Sequence, residues 1–277
     1  MGQIVGSFGM SHVMFAPDGV EDQAERVLGH MLRLREKVRA LVPDVIVLAG
    51  GDHFNNFNLA LQVPLAIALS DRFRTLGDGG VPVTEFAGYR AFAQGFARFA
   101  AEQDFDLAQA EEVVPDHGMA FPKLVLDPAN SVPTVLLYVN TAMPLPPSPR
   151  RCHRLGEVLR AYIETARPVE ERTVVVGVGG LSHWLRLPEE GRIAEDFDRE
   201  FLATLAKGNA GKLAAQFSAE QFIAASGNGG VEALSWLVAA GAAGDKGGEV
   251  LFYEAMEKWA TGMAAIMLEC SQGRSDP

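Results

Sequence analysis

Four short stretches of the chain are apolar almost without interruption and rich in β-branched residues: Gln3–Phe8, Val45–Ala49, Thr134–Val139 and Thr173–Val178. Each is bounded by Gly or polar residues, which is how strands buried on both faces read in sequence. Between and after them the apolar spacing becomes helical. Residues Asp22–Leu41 place Val27, Leu28, Met31, Leu34, Val38 and Leu41 on one face, and Thr84–Ala101 carries Phe86, Phe92, Phe96 and Phe99 at helical intervals. The aromatic stripe reads as core packing. Leu155–Ala166 and Asp196–Leu205 predict two further helices, and Ser218-Ala219-Glu220-Gln221 fits a capping box that opens a short one. Val231–Ala243 is apolar and Ala-rich and follows Gly227-Asn228-Gly229-Gly230. Strands alternating with helices predict an α/β fold, with a largely parallel or mixed central sheet and helices on both faces. The Pro-rich stretch Pro144–Pro149 has strong strands on either side and reads as a surface loop, so residues 1–277 are expected to form a single domain.

Composition narrows the function classes. A chain of 277 residues with 48% hydrophobic residues can bury a sizeable core. Its formal net charge of −11 repels nucleic acid and anionic membranes, so neither is an expected partner. Cys152 and Cys270 lie far apart and outside any CxxC spacing, which argues against a disulfide framework and a structural zinc knuckle. The opening Met1-Gly2-Gln3-Ile4-Val5 lacks a basic n-region, and no apolar run approaches the ~20 residues that span a bilayer. A cytoplasmic location is the expectation.

The six histidines carry the candidate chemistry. His30 lies inside an amphipathic helix and His153 opens another, and both read as solvated or rim residues. The other four share a setting. His12 follows the first strand, His53 the second within Gly50-Gly51-Asp52-His53, and His183 the fourth within Gly179-Gly180-Leu181-Ser182-His183. His117 lies in the loop Pro115-Asp116-His117-Gly118. Ligands of open α/β sheets bind beyond the carboxyl ends of the strands, so histidines just past strand ends converge on one cleft. Imidazole is both the commonest metal ligand and the commonest acid or base near neutral pH. Other motifs fail: Trp184 breaks a GxSxG elbow, His183 stands where GxGxxG needs its third glycine, and no HExxH is present. The glycines before Val231 could bring a helix N-terminus to the site, or simply make a turn.

Taken in order, Ser11-His12, Asp52-His53-Phe54-Asn55-Asn56-Phe57, Asp116-His117-Gly118 and Gly180-Leu181-Ser182-His183 resemble the class III extradiol dioxygenases. That family includes the catalytic subunit of protocatechuate 4,5-dioxygenase and the 2,3-dihydroxyphenylpropionate dioxygenases. Glu232 and Trp259-Ala260-Thr261-Gly262 extend the likeness over most of the chain. The resemblance implies that His12 and His53 bind Fe(II), with Glu232 as the carboxylate of a 2-His-1-carboxylate set. Asp52 is the rival carboxylate, expected instead to orient His53 or cap its loop. By the same resemblance His183 is the base that deprotonates a catechol hydroxyl and His117 the proton donor to oxygen. The implied partners are a small catecholic substrate and O₂, a homo-oligomer, and, in some relatives, a separate small subunit over the site. Lys123 is a candidate for a substrate carboxylate, against a solvated surface role. Two other readings compete: a zinc-dependent hydrolase built on the same ligands, and a non-catalytic binding protein on the same fold. The two extra histidines favour ring cleavage over the hydrolase.

Overall fold

The computed structural model describes residues 1–270. In chain order the strands are β1 (Gln3–Met10), β2 (Val45–Gly50), β3 (Leu65–Ala68), β4 (Arg72–Arg74), β5 (Glu85–Ala87), β6 (Ala108–Ala110), β7 (Thr134–Val139), β8 (Arg172–Val178), β9 (Gly248–Met256) and β10 (Thr261–Leu268). The helices are α1 (Glu21–Ala40), α2 (Arg90–Ala101), α3 (His117–Leu126), α4 (Pro149–Ala166), α5 (Glu195–Ala206), α6 (Ala210–Gln216), α7 (Ala219–Gly230) and α8 (Leu234–Ala243).

Eight strands form one mixed sheet in the order β6-β3-β7-β2-β8-β1-β10-β9. The four central strands β7, β2, β8 and β1 run parallel, and β10 joins β1 antiparallel. These four are the stretches legible as continuous apolar runs, because both of their faces are covered. Their side chains divide with period two. Val45, Val47 and Ala49 pack in one core with α2, α4 and α8, while Ile46 and Leu48 pack in the other with α1 and α3. The expected sheet with helices on both faces is therefore present.

Small residues let α8 approach the sheet closely. A Cβ on Gly177 would lie 2.7 Å from the Cα of Trp236, and one on Gly156 would strike the Val238 carbonyl. This contact seats α8 between β8 and α4 and carries Glu232, just ahead of it, to the carboxyl ends of β1 and β8.

Some local expectations shift. Phe86 lies on β5, paired opposite Phe73, and α2 starts only at Arg90. Gly88 and Tyr89 make the break, since any side chain at Gly88 would collide with the Ser70 carbonyl. His117 opens a helix rather than lying in a loop, with Asp116 as its N-cap. The Pro-rich stretch ends at Pro149, which begins α4 behind the cap Ser148. The capping box at Ser218 and Gln221 is present at the head of α7, whose helical run breaks at Gly227, where φ is 90°.

Candidate active site

The carboxyl ends of the parallel strands converge as expected. Beyond β1 stands His12, beyond β2 His53, beyond β8 His183, and each is wholly or partly buried. His53 Nε2 lies 3.1 Å from Glu232 Oε1, and His12 Nε2 lies 3.3 Å from Glu232 Oε2. Glu232 is 8% exposed and also accepts the Gly180 N–H at 2.9 Å. The backbone of Gly179 presses on it, so that a Cβ there would lie 2.7 Å from the Glu232 Cβ. His117 stacks on His53 with ring centroids 4.4 Å apart and stands edge-on to His12 at 5.7 Å. Nitrogens of His12, His53 and His117 all lie within 4.8 Å of one another.

Carboxylates outside this group fix the rings. Asp116 Oδ2 accepts both the backbone N–H of His53, at 2.9 Å, and its Nδ1–H, at 3.1 Å. Asp78 treats His117 in the same two-point way: Oδ1 accepts the backbone N–H at 2.8 Å and Oδ2 the Nδ1–H at 2.5 Å. Asp52 does not touch His53. It accepts the N–H groups of Asn56 and Phe57, both at 2.9 Å, and so caps the loop that His53 begins. His183 donates Nδ1–H to the Leu181 carbonyl at 2.7 Å, which turns Nε2 toward the Gly229 backbone, three residues before Glu232. The buried Asp198 holds the preceding residue, accepting Ser182 N–H at 2.9 Å, Ser182 O–H at 2.8 Å and Tyr253 O–H at 3.0 Å.

Burial and charge set the protonation states. Desolvation pushes the His12 pKa down to about 4, so its ring is neutral near pH 7. Burial alone would raise the Glu232 carboxyl, but the neighbouring His12, His53 and His183 hold it well below the ordinary range, and it is ionised. Burial would likewise lower His53, yet hydrogen bonds to Asp116 and Glu232 raise it well above its usual value. The site thus presents one neutral imidazole, one carboxylate, and a second imidazole whose proton is shared with that carboxylate. Donor atoms bound about 2.1 Å from one metal at right angles stand roughly 3 Å apart, close to the spacings around Glu232. A divalent cation would take the place of the His53 proton, as metal binding commonly does. The donor set therefore fits a metal of the 2-His-1-carboxylate kind.

Two residues read from sequence fall elsewhere. Lys123 is fully buried, its Nζ 2.5 Å from Asp127 Oδ2 and 3.0 Å from the Val132 carbonyl, so it neither is solvated nor reaches a substrate. His153 is 8% exposed and donates Nε2–H to Asp245 at 3.0 Å, which ties α4 to the turn after α8 rather than facing solvent. Conversely, Asp78 and Asp198 gave no signal in the sequence, and Asp116 was visible only as part of the Asp-His-Gly motif.

A family model described as the catalytic LigB subunit of aromatic ring-opening dioxygenase matches residues 6–264. A 2,3-dihydroxyphenylpropionate/2,3-dihydroxicinnamic acid 1,2-dioxygenase of Escherichia coli O81 (strain ED1a) is 29% identical over 174 residues, 62% of this chain and 54% of that one. The protein of the same name from Xanthobacter autotrophicus is 30% identical over 170 residues, 60% of this chain and 53% of its own. The chain thus spans about half the length of the curated relatives it matches. A crystal structure of an uncharacterized Escherichia coli K12 protein aligns with a TM-score of 0.59 at 16% identity, over 95% of this chain and 99% of that one, which shows a shared fold.

Proposed function

The chain belongs to the family of the catalytic LigB subunit of aromatic ring-opening dioxygenase, and from that premise we propose that it is a non-haem Fe(II) extradiol dioxygenase acting on a catechol-type ring. The observation that carries this reading is the juxtaposition of His12, His53 and Glu232, with both histidines within 3.3 Å of the same carboxylate, His117 stacked on His53, and His183 packed against Gly229, three residues before Glu232. His12, His53 and Glu232 hold the metal; His183 and His117 handle protons. Fe(II), when bound, supplies open positions for the diol and O₂ and a path for electrons between them, which a redox-inert ion would not.

The chain's own groups do the rest. A catechol hydroxyl has a pKa near 10, so it needs a base near pH 7. His183 has its Nδ1 committed to the Leu181 carbonyl, and its Nε2 is the atom free to take that proton. His117 has its Nδ1–H committed to Asp78, so it donates as the doubly protonated ring: Nε2–H gives its proton to oxygen and the neutral Nδ1–H form is left. The fixed rings of His53 and His117 form one wall of the site. The names of the curated relatives suggest dihydroxyphenylpropionate as a first substrate to try.

The test is anaerobic reconstitution with Fe(II), followed by protocatechuate, gallate, dihydroxyphenylpropionate, dihydroxybiphenyl and dihydroxypyridine in aerated buffer. One O₂ consumed per yellow ring-opened product with any of them is the expected result. No uptake from protein carrying one iron per chain would count against the reading, and tight zinc binding in its place would favour the hydrolase.

A further inference from the structure

The loop between β4 and β5 is built around one carboxylate. Gly77, Gly79 and Gly80 surround Asp78, all with positive φ, at 84°, 57° and 79°. That conformation is strained for an L-residue with a Cβ, and glycine avoids the strain. The stem of the loop is tied off by Thr75, whose hydroxyl donates to the Pro82 carbonyl at 2.8 Å and accepts the Thr84 N–H at 2.9 Å. The Leu76 N–H donates to the Pro115 carbonyl at 2.9 Å, fastening the loop to the segment that leads into His117. Gly79 lies against the same histidine, where a Cβ would sit 2.8 Å from the His117 Cβ. Everything in the loop presses Asp78 onto one residue, and Asp78 spends both carboxylate oxygens on it.

We propose that Asp78 is the positioning residue of His117, fixing its tautomer and ring plane so that Nε2 faces the reacting oxygen. The proposal rests on the reading of His117 as the proton donor. The donating form carries a proton on both ring nitrogens; a carboxylate can only accept, so Asp78 keeps the Nδ1 proton in place while Nε2–H gives its proton up and leaves the neutral Nδ1–H ring. Helix capping alone does not explain the contact, because Asp116 already caps α3 through the Gly118 N–H at 2.9 Å. A cap would also leave the second oxygen of Asp78 to solvent instead of on the ring. The arrangement mirrors that of Asp116 on His53, so two stacked imidazoles are each held by their own carboxylate.

Asp78→Asn separates positioning from support. The amide keeps an oxygen for the His117 backbone N–H, but the donor it turns toward Nδ1 cannot accept that proton, and its neutral group no longer balances the doubly protonated ring that donates. In the iron-loaded enzyme we expect kcat to fall about 10- to 100-fold. Iron per chain, the anaerobic Kd for the catechol and the Tm should stay at wild-type values. In a His117→Ala background the same substitution should cost nothing further, since residues acting as one unit are not additive. A full-rate Asp78→Asn enzyme, an additive loss in the His117→Ala background, or a loss of iron or Tm in place of kcat would each overturn the role of Asp78. A His117→Ala enzyme at wild-type rate would instead sink His117 as proton donor, and the role of Asp78 with it.

Discussion

The two ends of α3 bury charge in opposite ways. At the far end Lys123 has no exposed surface, yet its ammonium is met by Asp127 and the Val132 carbonyl. Asp127 in turn accepts the Ser131 hydroxyl at 2.9 Å and the Val132 N–H at 2.8 Å. Every polar atom of that unit has a partner, and the unit is closed. At the near end His117 joins His12, His53 and Glu232, and the set does not close. His12 is driven neutral by burial, and its Nδ1 is buried without a partner. Burying polar groups is costly unless they are paired. The fold bears that cost at one end of the helix and avoids it at the other. Burial of charge is therefore a poor pointer to function by itself; a buried set left incomplete is a better one.

The sharpest way to break this comparison is to remove the group on which the open end converges. Glu232→Ala should reduce iron to background in a metal-content assay and abolish turnover. The melting temperature should change little, because Asp116 still holds His53 and His12 is already neutral. Full iron occupancy in the variant would remove Glu232 from the ligand set. Next in size, His183→Phe should keep iron bound and lower kcat by ~10² to 10⁴, the usual contribution of a positioned acid or base. An unchanged rate would end its assignment as the base.

The closed end predicts the reverse pattern, a loss of stability with the chemistry intact. Asp127→Ala leaves the Lys123 ammonium buried with a single carbonyl partner, which typically costs about 3–5 kcal/mol. Urea unfolding should show that loss, while kcat of the folded fraction at low temperature stays at the wild-type value. The double variant Lys123→Met, Asp127→Asn should recover much of it, because replacing a buried pair by uncharged groups is often close to neutral. A double variant no better than Asp127→Ala would mean that Asp127 matters for its loop contacts and not for the cation.

What sequence could and could not disclose follows the same physics. The central strands were legible because both faces are buried and they read as unbroken apolar runs. The antiparallel pair β9 and β10 was not: β9 is an edge strand whose residues are mostly half-buried, and β10 is rich in Ala and Met, which carry little strand signal. Helix α3 was masked by Pro122 in its interior. His12, His53 and His183 stood out because each follows a legible strand. Their supporting carboxylates did not, because each acts across the fold. Asp78 lies in a Gly-rich segment that reads as a turn, 39 residues from the ring it holds, and Asp198 looks like one more acid on the polar face of α5. Lys123 misled for the converse reason: a lysine gives no sign in sequence that its partner, one helical turn on, will be buried with it.

The smallest effect sharpens the closed end through pH. Burial would raise the Asp127 carboxyl, but the Lys123 ammonium and the Val132 and Ser131 N–H groups outweigh it and hold the pKa below its ordinary value. A carboxyl depressed in the folded state adds stability above its unfolded pKa, about 3.9, and that stability is lost as the pH falls through the folded value. Lys123 is itself lowered by burial despite its partner, but it stays protonated throughout this acidic window. In Lys123→Met the cation that depresses Asp127 is gone, so its folded and unfolded values move together and the acid-labile increment shrinks. Other carboxylates, Asp116 and Glu232 among them, titrate alike in both proteins and cancel from the difference. The unfolding free energy of wild type minus that of Lys123→Met should therefore fall as the pH drops from about 5 to about 2. A flat difference across that range would mean that Asp127 does not depend on Lys123, and that this end of α3 is closed by backbone N–H groups alone.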